Sequence, residues 1–236
     1  MPKRTPAGKP IPDDGALTIK VTLEGLRPPI WRRLSIPANL TLEDLHWAIQ
    51  VAMGWTNSHL HQFMLFSGQK MSKQELGDMI RADPDSDPDF DVALAHGERY
   101  FSDPEFQMDD TENERQFTLP QLLGHHPRER LTYTYDMGDS WQHEIRVEGA
   151  TDPEPGTLSV RCLAGERAGP PDDSGGPWGY ADLLDALADE DHEGHDDAVD
   201  WLGDDFDPEK FDLDEVNKQL KKTFKPWPKK RGPKPK

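Results

Sequence analysis

Residues 41–54 read TLEDLHWAIQVAMG, and their spacing decides the fold. Thr41 stands as a helix N-cap with Asp44 three residues on, the spacing of a capping box, and Leu40 and Leu45 are placed as the hydrophobic staple that fixes the entry of the chain. Leu42, Leu45, Ile49, Ala52 and Met53 then recur at helical spacing, and His46 shares their face. Gly54 stands where a left-handed cap ends a helix. A helix with one apolar face must bury it against another layer.

That layer is written on both sides of the helix. Upstream, Leu17, Ile19, Val21 and Leu23 alternate with Thr18, Lys20 and Thr22, which is the period of a half-buried strand. After the turn EGLRPP a second strand runs from Ile30 to Ile36, where Pro37 closes it. Downstream, HLHQFMLF (59–66) is apolar on both alternating faces from Leu60 onward and suits a central strand. Residues 71–110 turn acidic, with PDSDPDFD at 84–91, and predict an excursion holding at most short helical pieces. The core resumes near Phe117 with a turn of helix (TLPQLL). Two strands follow, Leu131–Tyr135 and Trp141–Glu148, joined by the tight turn Asp136-Met137-Gly138-Asp139. Trp141, His143, Ile145 and Val147 share one face of the second.

The order predicts an α+β fold, a β-grasp-like mixed sheet around one helix with a C-terminal helical cap; another small α+β sandwich is the alternative. The cap begins after a strand near Leu158–Leu163 and the loop GERAGPPDDSGGPWGY (165–180). Tyr180, Leu183, Leu184 and Leu187 make one stripe, and Val199 with Leu202 a second. Phe206-Asp207-Pro208 with Phe211, then Asp212 with Glu215, open a last helix through Leu213, Val216 and Leu220. Three regions result. Residues 1–15 read as a disordered basic, Pro-rich lead. Residues 16–220 read as one domain, with the β-grasp-like core at 16–150, its acidic excursion at about 71–115, and the loop and helical cap at 151–220. Residues 221–236 read as a basic disordered tail.

Charge separates body from ends. The chain of 236 residues carries 27 basic and 45 acidic residues, a net −18. Eight of the basic residues fall between Lys221 and Lys236, and Lys3, Arg4 and Lys9 open the chain, so 16 remain against all 45 acids and the body stands near −29. Such a body repels a phosphate backbone. A single cysteine, Cys162, excludes an intrachain disulfide framework and a multi-cysteine zinc site, and fits a reducing cytoplasm. No apolar run is long enough for a membrane span or a signal sequence.

PPIWRRLSIP (28–37), TLEDLHWAIQVAMGWTNSHLHQF (41–63), YTYDMGDSWQHEI (133–145), the 165–180 loop and WLGDDFDPEKFDLDEVN (201–217) together resemble the plasmid pRiA4b Orf3-like family, in order, over roughly 17–220. Members are similar to passenger proteins of insertion elements that carry a resolvase-like label. The resemblance implies an uncharacterised binding or interaction module of plasmid or mobile-element origin, with no established activity. The label itself finds no support in these residues, which include no recognisable serine-recombinase catalytic segment. One departure stands out: Gly169 and Ser174 occupy loop positions where cysteine is common among relatives. If those cysteines hold a metal, this chain has lost that site; if they are incidental thiols, nothing is lost.

Three groups of residues are candidates for chemistry. His46, His61 and His143, with His59 nearby, are imidazoles that a helix lying across its sheet can bring together, and such a set suits zinc or another divalent metal. The plainer reading is that each is a core-margin histidine making one hydrogen bond. Trp55, Asp136, Asp139, Trp141, Arg167, Asp172, Asp173, Gly175 and Gly176 form a candidate site for a protein or small-molecule partner. Asp136 and Asp139 stand beside His143, and Gly175, Gly176 and Gly179 permit positive backbone angles between rigid prolines. The plainer readings are turn chemistry and a clasp joining sheet to helices. The loop matches neither a Walker loop nor a dinucleotide fingerprint. His192 and His195, in DEDHEGHDD, read as a solvated surface. Finally, Lys229, Lys230, Arg231 and Lys234 in the tail suit contact with DNA phosphates without sequence reading. A binding module is thus set against a metal-dependent hydrolase or nuclease-like enzyme using His46, His61, His143 and Asp139, and against a DNA-associated protein acting through its tail.

Overall fold

Leu17, Ile19, Val21 and Leu23 all point to one buried face of β1 (Ala16–Leu23), as the period of two requires. β2 (Trp31–Pro37) pairs with it antiparallel, Ile19 opposite Leu34 and Leu17 opposite Ile36. The computed structural model describes residues 11, 15–67, 81, 97–106, 110–124, 129–151, 159–203 and 205–224. The lead, most of the acidic excursion, and the tail beyond residue 224 with Lys229, Lys230, Arg231 and Lys234 lie outside the described residues.

The remaining strands are β3 (His61–Phe66), β4 (Glu98–Ser102), β5 (Glu112–Asn113), β6 (Arg130–Tyr135), β7 (Trp141–Thr151) and β8 (Arg161–Glu166). All eight strands form one sheet in the order β5-β4-β3-β6-β7-β1-β2-β8. Every pairing is antiparallel except the two-residue contact of β4 with β5, which makes the sheet mixed and the fold α+β. The β-grasp comparison carries only as far as a helix laid against one face; this nearly all-antiparallel order does not confirm it. Part of the excursion expected to hold only short helical pieces is in fact strand. β4 sets Phe101 opposite Phe63, fully buried, and so widens the sheet on the β3 side.

The decisive helix, α1 (Leu42–Met53), has the expected ends. The Thr41 hydroxyl accepts from the Asp44 amide at 3.2 Å, the Asp44 carboxylate accepts from the Thr41 amide at 3.3 Å, and Gly54 takes φ 89°. Its buried face carries Leu42, Leu45, Ala48, Ile49, Ala52 and Met53, with His46 and Gln50 as polar members over Tyr133 of β6. A four-residue helix, α2 (Leu119–Leu122), precedes β6.

The helical cap comprises α3 (Gly176–Ala188), α4 (His195–Leu202) and α5 (Leu213–Thr223). Along α3, Tyr180 and Ala186 are buried, while Leu183, Leu184 and Leu187 are half-buried. α5 is fastened to β8 through Asn217, whose Oδ1 accepts from the Cys162 amide at 2.9 Å and whose Nδ2 donates to the Cys162 carbonyl at 2.9 Å. Leu220 completes that contact with no exposure at all.

Candidate functional site

Period two turns His61, Phe63 and Leu65 inward on β3, and the helical period turns His46 down from α1, so the two imidazoles meet. Their rings stack with centroids 3.5 Å apart and planes 9° from parallel. His61 Nε2 lies 2.9 Å from Oε2 of Glu114, a fully buried carboxylate whose Oε1 has no hydrogen bond. On the other ring, His46 Nδ1 is 2.8 Å from the Tyr133 hydroxyl, which accepts from Gln50 Nε2 at 3.0 Å. Gln50 Oε1 is in turn occupied by the Asn57 amide at 3.0 Å.

This chain of bonds couples the protons. Gln50 donates to Tyr133, and in the tautomer in which the hydroxyl donates in turn to His46 Nδ1 the neutral ring carries its own proton on Nε2. Burial, then the neighbouring His61, holds His46 down to about 3, with the Asn57 side chain opposing weakly. Burial pushes the Tyr133 hydroxyl well above its ordinary value, so it stays an un-ionised donor. His46 Nε2 makes no hydrogen bond of normal geometry.

His143 does not join the pair. Its Nδ1 lies 3.3 Å from the Tyr133 carbonyl oxygen, and its ring meets Tyr133 and Trp55 at 5.4 and 5.3 Å. Burial lowers it to about 4. His46, His61 and His143 therefore do not present one set of ligand atoms. Among the described residues the grouping with metal-binding spacing is His59, Asp136 and Asp173.

Beside the imidazole pair opens a pocket of about 530 Å³. Glu43, Asp103, Glu105 and Glu114 line it with carboxylates, and Arg115 is the one basic residue in its wall. Arg115 is shared among three of them, at 2.9 Å from Glu43, 3.3 Å from Asp103 and 3.2 Å from Glu105. Trp47, Leu60 and Phe106 give the rim an apolar, solvent-facing edge, 41%, 44% and 62% exposed.

The 165–180 loop folds over the ends of β6 and β7. The Trp55 indole donates to the Pro170 carbonyl at 2.8 Å. Asp172 accepts from the Tyr135 hydroxyl at 3.0 Å and from Thr56 at 2.8 Å, and Asp139 accepts from the Gly175 amide at 3.0 Å. Gly176 is obligatory here, since at φ 69° a Cβ would fall 2.4 Å from the Asp139 carbonyl oxygen. Of the candidate partner site, then, Trp55, Asp136, Asp139, Asp172, Asp173, Gly175 and Gly176 come together around this junction. Trp141 is buried with an unpartnered indole N–H against Tyr180 and Trp55. Arg167 turns away to Glu209 at 2.8 Å and the Pro28 carbonyl at 3.0 Å. His192 and His195 serve local backbone, with the Gly194 amide donating to His192 Nδ1 at 3.1 Å and His195 Nδ1 lying 2.9 Å from the Ala186 carbonyl. Sequence reasoning missed Glu114, Glu43 and Arg115, which sit in or face the acidic excursion.

The profile described as "Plasmid pRiA4b ORF-3-like protein" matches residues 15–215. A relative named "Uncharacterized protein y4hQ", from Sinorhizobium fredii, is 30% identical over 214 residues, which cover 90% of this chain and 94% of that one. The crystal structure titled as a protein of unknown function, MM3350, from Methanosarcina mazei Go1 superposes with a TM-score of 0.69 at 33% identity, covering 87% of this chain and 99% of the other. No activity is attached to any of the three names. Among the described residues no helix is long and apolar enough to cross a membrane.

Proposed function

We propose that this chain, which belongs to the plasmid pRiA4b ORF-3-like family, is a binding module whose pocket takes a cationic, hydrogen-bond-donating group from a small molecule or a partner protein. The observation that carries the reading is Glu114, buried to 0% exposure in the pocket wall with one oxygen on His61 and the other unused. An unpaired buried acceptor costs about 1–3 kcal/mol unless a donor reaches it. Four carboxylates against one arginine bias the pocket toward positive charge and against anions. Trp47 and Phe106 at the rim supply the aromatic faces on which cations rest. His46, in the tautomer protonated on Nε2, would orient a ligand acceptor next to the cation.

The reading is tested by calorimetric titration with butylguanidine and its neutral near-isostere butylurea. The charged compound should bind about tenfold or more tightly, which corresponds to about 1.4 kcal/mol, and Glu105→Gln should narrow the gap. Equal affinity for the two, or no heat from either, would remove the proposal.

A reducing compartment, the cytoplasm, is part of the same proposal, supported by the single unpaired cysteine buried on β8. Phosphate contact through Lys229, Lys230, Arg231 and Lys234 is a separate proposal resting on the charge of the tail. Duplex affinity should fall steeply between 50 and 200 mM salt, roughly as counterion release requires, and should disappear when residues 225–236 are deleted; affinity that survives the deletion would count against it.

A further inference from the structure

We infer that His59, Asp136 and Asp173 form a binding site for one divalent transition-metal ion of the zinc or manganese class. The three come from segments far apart in sequence: the link between α1 and β3, the turn between β6 and β7, and the loop before α3. Each offers one ligand atom, and those atoms lie within 4.8 Å of one another.

The distances are those of ligands sharing an ion. His59 Nε2 is 3.1 Å from Asp173 Oδ1 and 3.6 Å from Asp136 Oδ2. Metal bonds of about 2.0–2.2 Å separate neighbouring donors by about 3.0 Å at octahedral angles and about 3.4 Å at tetrahedral ones. Yet His59 Nε2, shut off from solvent, makes no hydrogen bond, because neither carboxylate approaches it in hydrogen-bonding geometry. Its lone pair is left for something the chain itself does not supply.

Asp136 is prepared for the same task. It is 7% exposed, and its Oδ1 accepts from the Gly138 amide at 2.9 Å and the Asp139 amide at 3.2 Å, which turns Oδ2 toward His59. Asp172 is fixed alongside by Tyr135 and Thr56, and Asp139 by the Gly175 amide. Four carboxylates thus gather at one junction, and among the described residues none is ion-paired to a lysine or arginine. Asp136 and Asp173, whose ligand oxygens lie within 4.8 Å of one another, repel unless a cation sits between them. The imidazole selects against calcium and magnesium, and two hard oxygens beside it suit zinc or manganese. Asp173, with 65% of its side chain exposed, leaves the outer side open to water, so the ion is exchangeable. The set shares none of His46, His61 and His143; His59 also lines the Glu114 pocket, whereas Asp136 and Asp173 do not.

Metal-stripped full-length protein titrated with Zn²⁺ and with Mn²⁺ tests the site. One ion should bind per chain, raise the melting temperature, and in the Mn²⁺ case broaden NMR signals of Tyr135 and Trp55. Asp173→Asn, at an exposed position that the fold does not need, should weaken binding by about 10- to 100-fold or more, and His59→Gln likewise. His195→Ala should leave it unchanged. Weak, multiple binding that neither Asp173→Asn nor His59→Gln alters would assign the ion to the acidic surface at large and overturn the inference, as would no binding at all. Asp173→Asn leaves the lining of the Glu114 pocket intact, so butylguanidine binding by that variant reports separately on the other reading.

Discussion

Arg32→Met is expected to cost at least about 3 kcal/mol of folding stability, a large share of the roughly 5–15 kcal/mol that domains have. Arg32 is 2% exposed, and no carboxylate pairs with it. Its guanidinium instead donates four bonds to main-chain carbonyls: Nε to Ala52 at 2.7 Å, Nη1 to Trp31 at 2.9 Å and Glu166 at 2.8 Å, and Nη2 to Arg167 at 2.8 Å. The ring of Phe211 lies 4.3 Å from the guanidinium carbon. One side chain of β2 therefore ties the end of α1, the end of β8, the start of the clasp loop and the segment before α5. Burial lowers its pKa to about 10, far above physiological pH, so the group is charged there. Methionine fills much of the volume and removes the buried charge, but it leaves several carbonyls without donors, each worth about 1–3 kcal/mol. Lysine should not rescue, because a single ammonium cannot span the fork of acceptors. Urea unfolding monitored by tryptophan fluorescence reads the loss; a midpoint shift worth under about 1 kcal/mol would show that the carbonyls find other donors.

Arg32 also shows what the sequence made legible and what it did not. In WRRLSIP the alternation puts Arg32 on the same face as Leu34 and Ile36, so a period-two reading alone marks it as buried. The same rule recovers β1, β6 and β7, the continuous apolar run recovers β3, and the capping box with Gly54 recovers α1, because those signals are local. β4 was missed for the opposite reason: in ERYFS only Phe101 and Ser102 are buried, and no alternation survives in so short a strand. Glu114 reads as one more acid in an acidic stretch. Its burial is created by His61, 53 residues away in the chain, and no neighbour in sequence reports that contact. The histidines split along this line. Helix and strand periods correctly bring His46 to His61, whereas the place of His143 depends on which strand separates them, and Tyr133 of β6 stands there.

The loop departure from relatives has a steric meaning. A Cβ at Gly169 would lie 2.0 Å from the Met53 carbonyl oxygen, closer than any side chain tolerates. The loop here is drawn against the end of α1, where the Ala52 carbonyl is also held by Arg32. A cysteine at this position would require the loop to stand off. Ser174, by contrast, is buried and donates to the Pro171 carbonyl at 2.7 Å, a bond that holds the turn leading into α3. Gly169 thus serves the clasp by close backbone packing and Ser174 by a side-chain bond to the backbone, and the ligand atoms of the proposed metal site lie elsewhere, on this loop at Asp173.

Acid should weaken the fold well above the range in which carboxylates protonate. His46 and His143 are both buried and held neutral, at about 3 and about 4 against an ordinary 6.5. In the unfolded chain each takes up a proton as pH falls through 6.5, whereas in the folded chain neither does until pH approaches 4 or 3. The unfolded state therefore binds more protons across this window, and stability, full above 6.5, declines as pH falls. Each histidine contributes a slope of up to about 1.4 kcal/mol per pH unit. Between pH 6.5 and 5 the pair should remove roughly 3 kcal/mol, before carboxylate titration adds to the loss. Urea midpoints measured at fixed ionic strength through that range give the slope directly. His143→Gln should reduce the slope by about half whatever it does to stability at neutral pH, because slope counts protons and not contacts. A flat profile from 6.5 to 5 would mean that the two rings are protonated inside the fold, and a protonated His46 could not accept from Tyr133 at Nδ1.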